Sequence, residues 1–452
     1  MVSAPQSACL PRHRRGGGQA GMVFRNPKCC AVVYNGLVMI PQVTIATSAA
    51  KRVQHFDCWV FRDELINPVQ DIANGESVEL IDQHGTFLAH AFYSTASHIA
   101  ARVVSTARDQ PIDRALLCRH LEAALIKRTT IIGTNAKRLV FSEADRLPGL
   151  IVDQYADYLV LQTRTAGMER WKSTVVDYLQ KSLHPKGILE RSDKEFREEE
   201  GLPALTQVLA GTVPERIQIT EDDLRFWVDP HHGHKTGFYL DQRETRRCVR
   251  ALIEPGQRVA DVCAYTGAFA IAAAHRGAQV ICVEQHASLI ELAKENATLN
   301  GVGERIEFVH GDAFYWLEAK AKSAQRFDWV LLDPPSLAKS KPDVLKGRQA
   351  LHHLLVNALG LLAARGTLVV SICTYHLLGL TEEILRIAAA QQSTRLQIRA
   401  LTMQAPDHPW ILQIPATRYL MTWIAQRDTP RRRTDRVGRL PRGMTLRGGR
   451  IA

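Results

Sequence analysis

The chain has 452 residues, of which 46% are hydrophobic and 23% charged, so it is long enough for two or three globular domains. It contains no apolar run long enough to cross a bilayer and no secretory signal pattern, and its nine scattered cysteines form no Cys-x-x-Cys pair. These features argue against a membrane protein, a disulfide framework and a metal-bound zinc ribbon, and we expect a cytoplasmic protein.

The net charge of +11 is concentrated at the two ends of the chain. Residues 1–38 hold five basic residues and no acidic one, whereas residues 427–452 hold nine Arg and two Asp. The rest of the chain is close to neutral. We expect a disordered extension over 1–38 and an Arg-rich tail over 427–452, either simply solvated or with a loose affinity for polyanions. We also hypothesise that natural translation begins near Met39, where structured pattern starts.

Residues 39–112 show short strands separated by turns. Two strands over 78–82 and 87–91 flank Gln83-His84-Gly85, which is typical of a hairpin. A further strand is predicted over 101–104. The pattern predicts a small β-barrel of the size of a compact binding module.

Residues 113–230 mix helices and strands and predict a central α+β domain. The predicted helices are 112–127 and 167–183. The predicted strands are 139–141, 150–153, 158–162 and 187–190, followed by a hairpin over 215–229.

Residues 231–426 alternate buried strands with helices, which predicts a doubly wound, Rossmann-like α/β sheet. The predicted strands are 259–263, 279–283, 306–309, 327–332 and 367–371. The predicted helices are 268–276, 287–299 and 345–363. Residues 408–425 are predicted to add antiparallel edge strands.

Three consecutive strand ends carry residues suited to a nucleoside cofactor. The first ends at Tyr265-Thr266-Gly267, which lacks the three glycines of a dinucleotide fingerprint and disfavours NAD. The second ends at Glu284, whose carboxylate can accept hydrogen bonds from ribose hydroxyls. The third ends at Asp312-Ala313, where the carboxylate is placed for an adenine amino group. The combination predicts S-adenosylmethionine (SAM) rather than a chance set of loop residues.

The fourth strand ends in Asp333-Pro334-Pro335, a rigid turn that presents a carboxylate and carbonyl groups towards a bound base. Cys373 follows the fifth strand, so neighbouring strands would place it beside Asp333. A thiolate can add to C6 of cytosine and make C5 nucleophilic, after which a base must remove the C5 proton. We expect the surroundings of Cys373 to lower its pKa.

Two other interpretations remain open at this point. Cys373 could be a small buried strand residue, with Asp333 directing methylation of an exocyclic amine or of guanine. The chain could instead be an RNA-binding assembly factor that retains the fold without catalysis. The base that removes the C5 proton is undecided between Lys341 and His376. The His231-His232-Gly233-His234 stretch is interpreted as a loop without a bound metal.

Several stretches of the chain, from about Val43 to Gln426, resemble the bacterial 23S ribosomal RNA cytosine-5 methyltransferases that carry a PUA domain. The most specific are 234–243 (HKTGFYLDQR), 265–269 (YTGAF), 332–336 (LDPPS) and the Cys373 segment.

The resemblance implies that Cys373 is the nucleophile and that Asp333 belongs to the catalytic motif. It also implies that Gln242 and Arg243 approach the cofactor. Ribosomal RNA is then the expected partner, and a homodimer is a further expectation.

Overall fold

The computed structural model describes residues 33–34, 37–38, 40–66, 71–338 and 340–428. Contacts divide the chain into residues 1–40 and 41–452. In the first unit, β1 (Val33–Tyr34) pairs antiparallel with β2 (Leu37–Val38). The rest of the predicted 1–38 extension, and the Arg-rich tail beyond Asp428, lie outside the described residues.

The second unit begins with a five-stranded sheet in the order β3-β5-β6-β7-β4. Its elements are β3 (Gln42–Thr44), α1 (Thr47–Gln54), β4 (Trp59–Phe61), β5 (Ser77–Ile81), β6 (Phe87–Tyr93) and β7 (Ile99–Ser105).

The predicted hairpin is β5–β6, and its turn follows from Asp82 and Gly85. The Asp82 carboxylate accepts from the amides of His84 and Thr86, while Gly85 has a φ of +78°. Backbone hydrogen bonds between residues 44–46 and 64–66 connect the end of β3 to the segment that follows β4, the strand at the other edge of the sheet. This closure confirms the small β-barrel.

The central α+β region contains a sheet in the order β12-β11-β10-β9-β8, followed by a separate hairpin. Its elements are α2 (Arg114–Lys127), β8 (Ala136–Phe141), β9 (Leu150–Tyr155), β10 (Tyr158–Thr163), α3 (Ala166–Leu183), β11 (Gly187–Ser192), α4 (Lys194–Arg197), β12 (Leu205–Gly211), β13 (Ile217–Glu221) and β14 (Leu224–Val228). Asp113 caps α2 by accepting from the Leu116 amide at 2.7 Å. Strand β12 was not predicted, because its residues are mostly exposed and lack a clear alternation.

The third sheet has seven strands in the order β17-β16-β15-β18-β19-β21-β20. Its elements are α5 (Arg243–Leu252), β15 (Arg258–Val262), α6 (Ala268–His275), β16 (Gln279–Glu284), α7 (Ala287–Leu299), β17 (Ile306–His310), α8 (Ala313–Ala321), β18 (Phe327–Leu332), α9 (Val344–Leu361), β19 (Leu362–Ile372), α10 (Tyr375–Leu378), α11 (Thr381–Gln391), β20 (Leu396–Met403) and β21 (Met421–Arg427).

Pairing in this sheet confirms the Rossmann-like prediction. Strands β15 to β19 pair in parallel, and β21 lies antiparallel between β19 and β20. The predicted edge strands over 408–425 were wrong for residues 408–420, which hold turns and a 3-10 helix. The second edge strand is β20, which precedes that loop.

A buried ion pair and two buried hydrogen bonds join the central region to the third sheet through Asp407. Its carboxylate accepts from the guanidinium of Arg243 at 2.7 Å and from the backbone amide of Arg138 at 2.9 Å. Its carbonyl oxygen accepts from Arg128 at 3.1 Å. All four residues are buried, so these bonds form away from bulk water and order the loop that carries Asp407.

Candidate active site

The order of strands reverses between β15 and β18, and ligands of open parallel sheets bind at the carboxyl ends near such a point. The predicted strand-end residues therefore gather at one edge of the sheet. Strand β18 pairs directly with β19, with Leu332 opposite Val370, so the turn at Asp333 and the segment at Cys373 are neighbours as predicted.

The loop after β15 has an unusual backbone. Cys263, Tyr265 and Gly267 all have positive φ, at 65°, 52° and 76°. Two non-glycine residues in this region cost of order 1–3 kcal/mol each, and such strain is concentrated at ligand sites. A Cβ on Gly267 would lie 3.1 Å from the Cβ of Ala293. The loop is thus held tightly against α7 and presents its backbone at the strand end.

Glu284 ties this loop to the start of α7. Its carboxylate accepts from the amide of Tyr265 at 3.0 Å and from the amides of Gln285 and His286 at 2.9 and 3.1 Å. The side chain is therefore pre-oriented as a charged acceptor at the second strand end.

Asp312 caps α8, of which Ala313 is the first residue. One carboxylate oxygen, Oδ1, accepts from the amides of Phe314 and Tyr315 at 2.9 and 3.1 Å. Among the described residues, none donates such a bond to the other oxygen, Oδ2. Asp312 thus combines a capping role with the position predicted for adenine recognition.

Buried polar atoms without partners show that the cleft suits a polar ligand. Among the described residues these atoms include the hydroxyl of Thr266, both amide atoms of Gln242 and one carboxylate oxygen of Asp241. Buried polar groups are nearly always hydrogen-bonded in folded proteins, so such a group of orphans marks where a ligand supplies the partners. The hydroxyls, amine and carboxylate of SAM are of this kind.

Burial raises the pKa of Asp333 to about 6, and the charge of Asp241 adds to the shift. The amide of Gln242 and the ammonium of Lys235 lower it in part. Gln242 acts through proximity only, because neither of its amide atoms meets the geometry of a hydrogen bond. A carboxyl group with this pKa can donate or accept a proton near neutral pH.

Cys373 lies against the Asp-Pro-Pro turn, with its Sγ 3.7 Å from the carbonyl oxygen of Pro334. The residues that follow them in the chain are also in contact, since the hydroxyls of Ser336 and Thr374 are 2.8 Å apart. Burial raises the pKa of the thiol to about 11, and Asp333 contributes to the rise. The expectation of a lowered pKa was therefore wrong, because burial disfavours the charged thiolate and the Asp333 carboxylate repels it.

Arg243, expected at the cofactor, has a fully buried guanidinium that is bound to Asp407 at 2.7 and 3.2 Å. Its neighbour Gln242 carries the unpaired amide next to Asp333. The two adjacent residues thus differ: Arg243 anchors the start of α5 on Asp407, whereas the buried amide of Gln242 lies near Asp333 without a hydrogen-bond partner.

His376 lies in α10 with its ring 5.8 Å from that of Tyr375, and Lys341 begins the 3-10 helix Lys341–Asp343. Neither position favours one of the two residues, so the identity of the base that removes the C5 proton stays undecided between Lys341 and His376.

Sequence reasoning missed several residues from the loop before α5. His234 stacks on Tyr265 with ring centres 5.1 Å apart, and Tyr239 meets the same ring edge-on at 4.9 Å. Lys235 pairs with Asp241 at 2.7 Å. These residues precede the first strand of the sheet, so strand-end reasoning could not find them. Their signal was the dense polar and aromatic stretch 234–243.

Within the described part of the chain, no group of three or more His, Cys, Asp and Glu residues could hold a metal ion. None of the helices described there has the length and apolar character needed to cross a membrane.

Comparison with known proteins shows to which class of protein the chain belongs. A family model described as a PUA-like domain matches residues 43–106, and one described as an S-adenosylmethionine-dependent methyltransferase matches residues 200–410. The structure of SMU.776 complexed with SAH has a TM-score of 0.76 at 19% identity, covering 86% of this chain and 100% of that one. A SAM-dependent methyltransferase from Streptococcus mutans has a TM-score of 0.74 at the same identity and coverage. The sheet order, the cleft and these matches define a SAM-dependent methyltransferase with an N-terminal PUA-like domain.

The sequence relatives narrow the class to a family. Proteins named ribosomal RNA large subunit methyltransferase I, from Yersinia pseudotuberculosis and Yersinia pestis, are 34% identical over 389 residues. The match covers 84% of this chain and 98% of each relative. The chain belongs to the family of ribosomal RNA large subunit methyltransferase I, which confirms the family and the cofactor predicted from the sequence.

We expect Glu284→Gln to weaken SAM binding about 10- to 100-fold, because the amide offers a neutral acceptor where the carboxylate offers a charged one. Isothermal titration calorimetry measures the affinity. Glu307→Gln, an exposed glutamate on β17, is the matched control and should bind SAM as the wild type does. Equal affinity of Glu284→Gln and the wild type would remove Glu284 from the cofactor site.

Proposed function

We propose that the chain methylates C5 of a cytidine in large-subunit ribosomal RNA through a transient covalent bond to Cys373. The observation that carries the chemistry is the position of the Cys373 thiol, 3.7 Å from the Pro334 carbonyl and beside the Asp333 carboxyl. The substrate class follows from the relatives, which are named ribosomal RNA large subunit methyltransferase I.

The proposed cofactor residues are those at the strand ends and at the start of α5. Tyr265, Thr266 and Gly267 would contact SAM through the loop after β15, and Glu284 would bind the ribose hydroxyls. Asp312 and Ala313 would face the adenine. Gln242 would satisfy its buried amide on the ligand, with Arg243 holding the segment in place. Bound there, SAM supplies an electrophilic methyl group.

The chain's own residues then act on the base. The thiolate of Cys373 forms a bond to C6, and the electron pair of the C5–C6 double bond moves to C5, which makes C5 nucleophilic. Asp333 holds the N3 and N4 edge of the cytosine, and its pKa of about 6 allows it to share a proton with N3. Once C5 carries the methyl group, a base removes its proton, the double bond re-forms and Cys373 leaves.

Hydrogen release from C5 tests this reaction. RNA transcribed with cytidine tritiated at C5 would be incubated with the protein and SAM, and tritium in water would be compared with methyl groups incorporated. We expect one tritium released per methyl group and 5-methylcytidine in the nucleoside digest. Methyl incorporation without tritium release would contradict methylation at C5.

Methylation of an exocyclic amine is the second candidate, and the raised pKa of the Cys373 thiol favours it. In that reaction Asp333 and the Pro334 carbonyl would bind the amino group, and the thiol would have no covalent role. Tritium would stay on C5, and the digest would contain an N-methylated nucleoside.

The Arg-rich tail is proposed to add affinity for RNA, because residues 429–452 contain eight Arg and one Asp. Truncation after Asp428 should weaken RNA binding and flatten its dependence on salt, since fewer counterions are released. Fluorescence anisotropy over a salt series measures both. A chain with the tail arginines replaced by glutamine is the control of equal length and should match the truncation. An unchanged salt slope would contradict the proposal.

A further inference from the structure

Helix α7 docks on strand β14 of the separate hairpin through two asparagine side chains. Oδ1 of Asn300 accepts from the Arg225 amide at 2.9 Å, and its Nδ2 donates to the Arg225 carbonyl at 2.6 Å. One helical turn earlier, Oδ1 of Asn296 accepts from the Trp227 amide at 2.6 Å. Four residues of helix rise about 6 Å and two residues of strand about 7 Å, so the two side chains match successive bonding positions along the strand.

Asn296 differs from Asn300 in the group that its Nδ2 reaches. It donates to the Thr266 carbonyl at 3.3 Å, in the loop after β15, and its side chain is fully buried. Trp227 offers a donor and Thr266 an acceptor, so only one orientation of the Asn296 amide satisfies both. This side chain therefore joins the hairpin to the loop that carries the proposed cofactor residues.

The bond to Thr266 falls in the middle of the strained part of that loop. The residues on either side, Tyr265 and Gly267, have φ values of 52° and 76°. Backbone strain persists only where surrounding contacts impose it. Helix α7 supplies two such contacts from one of its sides, because Ala293 packs under Gly267 and Asn296, three positions later, holds the peptide before it.

The Thr266 side chain shows what this support is for. It is buried, and its hydroxyl has no hydrogen-bond partner among the described residues. With the carbonyl of the same residue held by Asn296, the Thr266 peptide has a fixed orientation and the hydroxyl is left for a ligand.

We propose that Asn296 is a positioning residue for SAM: it holds the Thr266 peptide so that the Thr266 hydroxyl can bond to the cofactor. The proposal rests on the proposed place of Thr266 in the cofactor site, and it is independent of the covalent reaction at Cys373.

Titration calorimetry of the full chain with SAM tests this role without requiring methyl transfer. We expect Asn296→Ser to weaken SAM binding about 3- to 10-fold, because the short side chain cannot span Thr266 and Trp227. Asn300→Ser is the matched control: it loses bonds to the same strand from the same helix and should bind SAM as the wild type does. Wild-type affinity of Asn296→Ser, or equal weakening by both variants, would overturn the proposal.

Asn296→Asp is a second variant that keeps the size of the side chain and the acceptor for the Trp227 amide. A protonated carboxyl group can still donate to the Thr266 carbonyl, whereas the ionised form repels it. Burial raises the pKa of such a group, so we expect affinity relative to the wild type to be lower at about pH 9 than at about pH 6. The same relative affinity at both pH values would contradict the role of the Thr266 bond.

Thr266→Val separates failure of this proposal from failure of the proposed cofactor site. It removes only the hydroxyl and should also weaken SAM binding. If Thr266→Val binds SAM as the wild type does, the place of Thr266 in the site is refuted, and the role of Asn296 with it. If Thr266→Val weakens binding and Asn296→Ser does not, the site stands and only the role of Asn296 is refuted. Thermal melting confirms that each variant is folded.

Discussion

Cys373→Ala should lower the rate of methyl transfer by about 10⁴-fold or more, because without a sulfur nucleophile C5 of cytosine stays too electron-poor to react. Cofactor binding should be unchanged, since the thiol contacts the Asp-Pro-Pro turn rather than the loop after β15. Single-turnover assays with labelled SAM and unmodified ribosomal RNA measure the rate.

The matched control is Cys248→Ala. Cys248 is a half-buried cysteine on α5, and burial alone raises the pKa of its thiol. It should methylate at the wild-type rate. If Cys373→Ala methylates within tenfold of that rate, the cysteine is a structural residue and the amine chemistry becomes the better account.

RNA containing 5-fluorocytidine gives an independent check. The fluorine at C5 cannot leave as a proton, so the bond between Cys373 and the base persists. The wild type should therefore form a complex with this RNA that resists denaturation, and Cys373→Ala should not.

Asp407→Ala should reduce the free energy of unfolding by about 3–5 kcal/mol, because it removes the buried counter-ion of the Arg243 guanidinium and leaves only the partly exposed Glu244 carboxylate at 3.4 Å. The same change removes the acceptor of the Arg138 amide. Urea unfolding followed by tryptophan fluorescence measures the loss.

Asp223→Ala provides the comparison, because Asp223 pairs with Arg250 at the surface and its removal should cost about 0–1 kcal/mol. The double variant Arg243→Met Asp407→Leu removes both buried charges and should recover part of the loss. An unfolding midpoint of Asp407→Ala equal to that of Asp223→Ala would show that the buried pair contributes nothing to stability.

The local pattern of hydrophobic residues was sufficient to predict most strands and helices of the third sheet. The buried strands β15, β16 and β18 and the helix α7 alternate clearly in the sequence, and the residues that follow each strand converge because parallel strands end at a common edge. Glu284 and Asp312 were thus placed correctly at strand ends, although their capping bonds to backbone amides were not predicted.

Long-range contacts explain what the sequence did not reveal. Asp407 is separated from Arg243 by 164 positions and from Arg138 by 269, so no local pattern connects them. The raised thiol pKa is a product of burial first and of Asp333 second; the sequence placed Asp333 beside Cys373 but could not show how completely the thiol is buried. Strand β20 escaped notice because an edge strand with exposed apolar residues lacks the continuous burial that marked the others.

The loop that carries Lys235, Tyr239 and Gln242 precedes the first strand of the sheet whose candidate active site it borders. Tyr419 lies just before the last strand and donates a hydrogen bond to Asp241 of this loop, so the segments before the first strand and before the last strand meet at the candidate site. An excised cassette beginning at Arg258 would therefore keep the sheet but lose this wall of the pocket. The module that can be exchanged between proteins by gene fusion is accordingly longer than the sheet itself, and a successful transplant must carry the loop and the final strand together.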